Sequence, residues 1–587
     1  MIAAPADATT VPPMSTHRGQ APTVPLAHSD DRLNPSARTA AIGRLKTSRV
    51  GRPFDVLIIG GGVVGAGAAL DAATRGLSVA LVEAGDLASG TSSRSSRLAH
   101  GGLRYLEQLE FRLVHEALTE RGLLLTKLAP HLTSPLSFMF PTTRKGWELP
   151  YMGVGVNAYD VLSRIGSYGG TLPRPDVFSR RKVAAMSPGL RTDLMSGAVR
   201  YWDAQIDDAR HTLALARSAA GYGATITTGT KVVGLLMQAG RVVGARVQER
   251  EGGTEIKVHA RVVVSAAGVW SNELRKMAGA PGTGTVRQSK GVHLIVPRDA
   301  IACTGAVATR TPTSLMFLLP WGAHWIIGTT DTDFDGDLNH PSVEATDVDY
   351  ILGQANRWLR KPLTRADVTG AYAGLRPLLS AGRCDTGPAT LSREHGVFHP
   401  APGLVLVAGG KYTTYRVMAA DIIDAARDEL TATGRLGVGN SVTANVPLTG
   451  AAGYAENLAH AEQTAAESGL SVPAVLALLG RHGDRIDDVL ALIDADPALG
   501  RRLHPDADFL RAEAVIAVTH EGARSLTDVL TRRLRIAAST PRVAAAVAGG
   551  TARLIAPLLG WDEARARAET EKVWGSAAAL QHAIAAA

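Results

Sequence analysis

Asp55-Val56-Leu57-Ile58-Ile59-Gly60-Gly61-Gly62-Val63-Val64-Gly65 is the stretch that decides the fold. A short apolar, β-rich run passes directly into glycines, which reads as a buried strand followed by a tight turn. Residues 66–75 then read as a helix rich in small side chains, Gly76 ends it, and 78–82 form a second buried strand closed by Glu83. In such a unit Gly60 permits the turn, Gly62 lets a pyrophosphate approach the backbone, and Gly65 allows close helix packing. The helix N-terminus faces the phosphates, and the Glu83 carboxylate accepts hydrogen bonds from a ribose diol. A carboxylate there repels a 2′-phosphate. The unit therefore predicts a dinucleotide, with FAD and NAD both fitting.

The segments downstream separate the two. Residues 88–104 are dense in hydroxyls, glycines and arginines directly after the acidic strand end, suited to a pyrophosphate and an isoalloxazine edge. Residues 262–268 form another buried strand ending in small residues, and Gly328-Thr329-Thr330-Asp331 and residues 409–416 have the same Gly-rich, hydroxyl-bearing character. Several dispersed turns of this kind can surround a ligand as long as FAD; a nicotinamide enzyme needs fewer. The candidate cofactor contacts are Gly60, Gly62, Gly65, Glu83, Thr91, Ser92, Ser93, Ser96, Gly101, Gly102, Ala267, Gly268, Thr330, Asp331, Gly410, Lys411, Thr413 and Thr414.

Working outward, the 587 residues are too many for one small core and predict two or three domains. Residues 1–52 are rich in Pro, Ser, Thr and Ala without apolar periodicity, and are expected to be a disordered extension that lacks the features of a secretory signal. An FAD-binding domain is expected over 53–450 (about 53–110, 200–285 and 395–430), with a substrate domain interleaved at about 111–199 and 286–394. Residues 451–587 switch to Ala- and Leu-rich periodicity broken by prolines, which predicts a helical C-terminal domain. The uncharged stretch 311–330 is interrupted by Pro320-Trp321-Gly322 and reads as two strands around a turn. No transmembrane helix is expected, so membrane contact would be peripheral, with the protein on the cytoplasmic side.

Cys303 and Cys384 lack the spacing of a metal site and are expected to be reduced thiols; no metal is predicted. The net charge of +8 favours anionic ligands or surfaces, but no basic run with interleaved aromatics suggests nucleic acid. In the tail, Arg501, Arg502, Arg511, Arg524, Arg532, Arg533 and Arg535 either face anionic headgroups or solvate helix surfaces, and composition favours the latter.

Residues 95–107 (SSRLAHGGLRYLE), Gly328-Thr329-Thr330-Asp331, Gly374-Leu375-Arg376-Pro377-Leu378 and residues 409–416 (GGKYTTYR) resemble, in order, the hallmark motifs of FAD-dependent, aerobic, quinone-linked glycerol-3-phosphate dehydrogenases. The likeness spans roughly 53–450, and residues 525–533 (SLTDVLTRR) resemble that family's C-terminal domain. It implies an α/β (α+β) fold: a glutathione-reductase-like, D-amino-acid-oxidase-like FAD domain, an antiparallel-sheet substrate domain and an all-helical C-terminal domain. It implies non-covalent FAD, oxidation of sn-glycerol 3-phosphate to dihydroxyacetone phosphate by hydride transfer to flavin N5, and electrons passed to a membrane quinone at the inner face of the cytoplasmic membrane. It leans toward a homodimer.

A phosphate dianion calls for converging cations. Arg104, Arg376, Arg393 and Lys411 match family motif positions, with Tyr105 as an added hydroxyl donor. Alcohol oxidation also needs a proton acceptor near C2. His293 falls where the family carries an active-site histidine, and Arg376 is a second candidate for assisting deprotonation; His100 is placed toward the flavin. The rival readings are an oxygen-using glycerol-3-phosphate oxidase, a flavin amino-acid oxidase or dehydrogenase, and a non-catalytic flavin-binding adaptor.

Overall fold

Strand Phe54–Ile59 sits at the centre of a parallel sheet, between Glu255–Ser265 on one side and Val79–Val82 on the other. The order runs His395–Ala401, Leu404–Gly409, Glu255–Ser265, Phe54–Ile59, Val79–Val82, Thr225–Thr227, with only the first pair antiparallel. Val56, Leu57 and Ile58 are fully buried because both faces are covered, which is why the run is continuously apolar rather than alternating. Helices Val63–Thr74, Asp208–Gly221 and Tyr415–Ala432 cover one face. The other carries the meander Thr230–Gln238, Arg241–Glu249 and the first half of Glu255–Ser265. The sheet order reverses at Phe54–Ile59, and the crevice at the carboxyl ends of its strands is where such sheets bind ligands.

This computed structural model describes residues 30–107, 109–143, 147–165, 172–280, 285–312, 315–379 and 394–586. A second sheet of ten strands is built mainly from hairpins, with Thr133–Thr142 and Gly197–Ile206 toward one end and Val286–Pro297 paired to Gly370–Leu379 and His324–Gly328 toward the other. Its contact between Ala306–Arg310 and Thr133–Thr142 is parallel. Within the uncharged stretch, Leu315–Trp321 and His324–Gly328 form the expected hairpin.

Three features depart from expectation. Residues 35–47, placed in a disordered extension by composition, form a helix in which Asn34 caps the Ala37 amide at 2.7 Å and Pro35 takes the first turn. Ala41, Ile42 and Leu45 bury against the dinucleotide sheet and Arg38 pairs with Glu249 at 2.7 Å. A buried face of three residues is too short to register as periodicity. Second, the C-terminal domain carries a two-stranded ribbon, Arg502–His504 with Ala507–Leu510, among its helices. Third, helix Pro541–Leu559 is long and apolar enough to cross a membrane by length and composition. It buries Val543, Ala544, Val547, Ala548 and Ile555 in the domain's own core, as a core helix does.

Candidate active site

The cofactor cradle follows from the glycine turn. Gly60 has φ +111°, and a Cβ there would lie 2.6 Å from the Ala266 carbonyl oxygen; one on Gly65 would lie 1.9 Å from the Gly60 carbonyl oxygen. Gly62 is different: it begins helix Val63–Thr74 with no side chain of its own, so that Ser92 Oγ comes within 3.1 Å of where its Cβ would be. Glu83 accepts the amides of Gly61 (2.6 Å) and Gly85 (2.7 Å). Burial holds its carboxyl above the ordinary range despite those amides. The Ser265 hydroxyl, at the end of the neighbouring strand, is buried without a protein partner. Ala267 follows, and Gly268 with φ +54° opens a short turn. A cradle that a Cβ at Gly60 or Gly65 would fill, a helix that starts at a glycine and an acid at the second strand end together fit FAD.

Residues 91–97 run from this cradle onto the substrate sheet. Ser92 Oγ accepts the Val63 amide at 2.9 Å, and Thr91 Oγ1 donates to the Leu375 carbonyl at 2.6 Å. Gly374 is required here because a Cβ would come within 2.5 Å of the Arg94 carbonyl oxygen. The crossing sets Ser96 Oγ 2.8 Å from Nε2 of His293. Ser96 thus meets the candidate base rather than standing only as a cofactor contact.

His293, Gly291 and Ser289 alternate onto one face of their strand, opposite Tyr372, Gly374 and Arg376. His293 stacks on Tyr372 with centroids 4.8 Å apart and planes at 17°. Burial, with Arg376 and Arg97 adding, pushes its pKa down to about 3, and Nδ1 has no protein partner. The guanidinium of Arg376 lies over Gly291, where a Cβ would fall 2.4 Å from NH2. It donates to Asp331 (3.2 Å), the Thr330 carbonyl (3.2 Å) and Thr329 Oγ1 (3.0 Å). Asp331 also accepts from Ser289 Oγ, while Thr330 Oγ1 accepts the Val292 amide at 3.0 Å. The Thr330 and Asp331 side chains therefore support the arginine and its strand.

On the third side, Lys411 Nζ stands 3.6 Å over the Tyr105 ring. The Gly101 amide donates to Tyr159 at 2.8 Å, Gly102 has φ +76°, and Gly410 has φ +85° with Met418 packed where a Cβ would be. Thr413 Oγ1 accepts the His100 amide at 3.0 Å, tying His100 to the Gly410 turn; burial, then Lys411, lowers the His100 pKa. Thr414 is buried at the start of helix Tyr415–Ala432. Arg104 begins the short helix Arg104–Glu107; its side chain, Arg393 and Cys384 lie outside the described residues. Cys303 is a buried thiol whose pKa burial raises to about 11.

Sequence reading missed Tyr372 and Arg97. Tyr372 lies four residues before Arg376 on the same strand face, so alternation from the Gly-Leu-Arg-Pro motif could have found it. Arg97 lies inside the quoted motif. Its guanidinium is buried 4.4 Å over Trp321 with no hydrogen-bond partner on any nitrogen. The larger correction concerns the tail. Arg532, Arg533 and Arg535 neither solvate a helix nor face headgroups. Arg532 and Arg533 grip Asp86, three residues past Glu83, with Arg532 Nε 2.5 Å and Arg533 NH2 2.9 Å from its carboxylate. Arg535 donates to the Ser93 carbonyl (2.9 Å) and Asp208 (2.8 Å), and Asp208 accepts Ser95 Oγ at 2.7 Å. Ser93 is itself buried beneath this contact.

Two sheets meeting at a glycine cradle, with a histidine and an arginine facing it, define an FAD-dependent oxidoreductase. The family model described as FAD dependent oxidoreductase matches residues 55–416, and that for the C-terminal domain of alpha-glycerophosphate oxidase matches 441–566. The chain belongs to the glycerol-3-phosphate dehydrogenase family of these flavoenzymes. It is 51% identical to glycerol-3-phosphate dehydrogenase 2 of Mycobacterium tuberculosis, over 91% of this chain and 88% of that one. It is 36% identical to the human mitochondrial glycerol-3-phosphate dehydrogenase, over 88% and 72%. A solved glycerol-3-phosphate dehydrogenase from Bacillus halodurans, complexed with FAD, superposes with a TM-score of 0.75 at 27% identity, covering 94% of this chain and 98% of that one.

Proposed function

We propose that this enzyme oxidises sn-glycerol 3-phosphate to dihydroxyacetone phosphate and passes the electrons to a membrane quinone, working peripherally on the inner face of the cytoplasmic membrane. The observation that carries the reading is the face shared by His293 and Arg376: a neutral histidine braced by Ser96 beside an arginine that donates to three acceptors. FAD, when bound, supplies the two-electron acceptor for the hydrogen leaving C2. The protein's part is binding, orientation and proton transfer.

Arg376 and Lys411 are the cations offered to the phosphate, with Tyr105 as an added hydroxyl donor and Arg104 and Arg393 completing the set by sequence position. The C2 hydroxyl proton is taken up by the imidazole of His293, whose Nε2 is engaged by Ser96 Oγ at 2.8 Å and whose Nδ1 has no protein partner. Burial first, and the Arg376 and Arg97 charges after it, hold this histidine near 3; a phosphate dianion bound at Arg376 offsets the second of these causes and shifts the ring upward. The relatives' names, glycerol-3-phosphate dehydrogenase, support this substrate. The acceptor is tested by steady-state turnover of glycerol 3-phosphate with a soluble quinone analogue in air. Quinone reduction without stoichiometric hydrogen peroxide is expected; peroxide equal to substrate consumed would make the enzyme an oxidase.

A further inference from the structure

Arg97 carries a buried charge that the fold leaves unanswered. The residue is 1% exposed, and none of its three guanidinium nitrogens meets a hydrogen-bond partner among the described residues. Its backbone, by contrast, is secured: the amide donates to Ser95 Oγ at 2.9 Å and the carbonyl accepts the Ile206 amide at 2.9 Å. That backbone stands at φ +54°, a left-handed conformation that is costly for a residue with a Cβ. A buried cation with no acid in contact is costly too, and aromatic faces offset only part of it. Two penalties at one residue mark a position kept for something other than stability.

The surroundings of Arg97 set that charge close to the chemistry. The guanidinium carbon lies 4.4 Å from the Trp321 ring centroid and 5.9 Å from that of Tyr372, the ring that stacks on His293. The acids whose fields reach it are engaged elsewhere: Asp208 by Arg535 at 2.8 Å and by Ser95 Oγ at 2.7 Å, Asp207 by the Arg210 amide at 3.1 Å. The Tyr372 hydroxyl donates to the Ser95 carbonyl at 2.8 Å, and burial pushes its pKa up to about 12, so it brings no charge. Arg376, the other cation beside His293, is matched by Asp331. The Arg97 charge adds to burial in lowering the proton affinity of half-buried His324, and to burial and Arg376 in lowering that of His293.

We infer that Arg97 is a positioning residue for charge: its unpaired cation favours the negative charge that FAD gains when the substrate is oxidised. In that step the C2–H bond breaks and the hydrogen leaves with both electrons to FAD, while the C2 O–H bond gives its proton to His293 and the carbonyl forms. The cofactor gains one negative charge and the histidine one positive charge. A fixed cation close to both stabilises the first and opposes the second, so it favours the reduced cofactor with the proton passed on to solvent. Trp321 and Tyr372 suit this task, because they shield the guanidinium from water without neutralising it. The inference rests on the hydride step proposed above for its purpose, though not for its test.

The test is the reduction potential of the full-length, FAD-loaded wild type, R97M and R97K, measured against a two-electron reference dye with no glycerol 3-phosphate present, alongside their thermal unfolding. R97M should move the flavin–dye equilibrium about tenfold toward oxidised flavin, or ~30 mV, as loss of a unit charge from a poorly solvated site does. Lysine keeps the charge, so R97K should stay near the wild-type potential. R97M should also unfold at or above the wild-type Tm, because an apolar side chain replaces an unpaired buried charge. A potential unchanged or raised in R97M overturns the inference whatever its Tm, and so does an R97K potential as low as that of R97M. An R97M chain that fails to fold or to load FAD overturns it too, since the side chain is then structural. Absence of turnover with glycerol 3-phosphate in wild type would sink the functional reading above while the potentials still decide the role of Arg97.

Discussion

The hydroxyl of Ser96 lies 2.8 Å from Nε2 of His293, joining the segment that leaves the cofactor cradle to the strand that carries the candidate base. The contact fixes the ring while Tyr372 stacks on it from the adjacent strand. S96A should therefore lower kcat/KM about tenfold with little change in KM, and H293N should lower kcat by about 10²- to 10⁴-fold, the range of a general base. Steady-state kinetics on FAD-loaded protein check both. An H293N enzyme with wild-type kcat would remove the histidine from the chemistry.

Arg376 presents a planar fork over Gly291, held by Asp331, Thr329 and the Thr330 carbonyl. Lysine keeps the charge but not the fork. R376K should raise KM for glycerol 3-phosphate by about tenfold or more, and R376Q further, with flavin content unchanged. Titration with inorganic phosphate as a competitor should weaken in parallel.

The Asp86 clamp predicts an effect on the cofactor from a domain that does not form its cradle. Removing one member of a buried ion pair costs about 3–5 kcal/mol. R533M should loosen FAD at least tenfold, read as flavin fluorescence recovered in the filtrate after dilution, and D86N should do the same. The conservative R533K should restore part of the retention. Full retention in R533M would reduce the clamp to domain packing.

Burial also sets a pH window. His131, His211 and His293 are each pushed down to about 3, so between about 3 and the ordinary 6.5 the unfolded chain binds protons that the folded one refuses. Their stabilising contribution is complete above about pH 6.5 and is lost as pH falls toward 3. Thermal unfolding should show Tm falling across pH 6.5 to 4, and H211N, away from the proposed proton path, should flatten that slope. A Tm constant over this range would contradict the burial of these rings.

The glycine turn, the strand before it and the place of Glu83 at the second strand end were legible because each is a local demand of the backbone: a Cβ at Gly60 or Gly65 meets carbonyl oxygen, and the Glu83 carboxylate accepts the Gly61 and Gly85 amides. His293 and Arg376 were legible through family motifs, but not that Ser289 faces Arg376 and His293 faces Tyr372, since register is set by pairing 80 or so residues away in sequence. The tail arginines were misread because composition cannot tell an arginine in water from one paired to an aspartate some 446 residues earlier. The helix at 35–47 hid behind a buried face of three residues.

The most direct test is anaerobic addition of glycerol 3-phosphate to the purified yellow protein while following flavin absorbance. Rapid bleaching, reversed by a soluble quinone analogue, is the result expected of an FAD enzyme that oxidises this substrate at His293 and Arg376. Flavin that stays oxidised with saturating glycerol 3-phosphate would contradict the substrate, and a chain purified colourless that fails to take up added FAD would contradict the cofactor site itself.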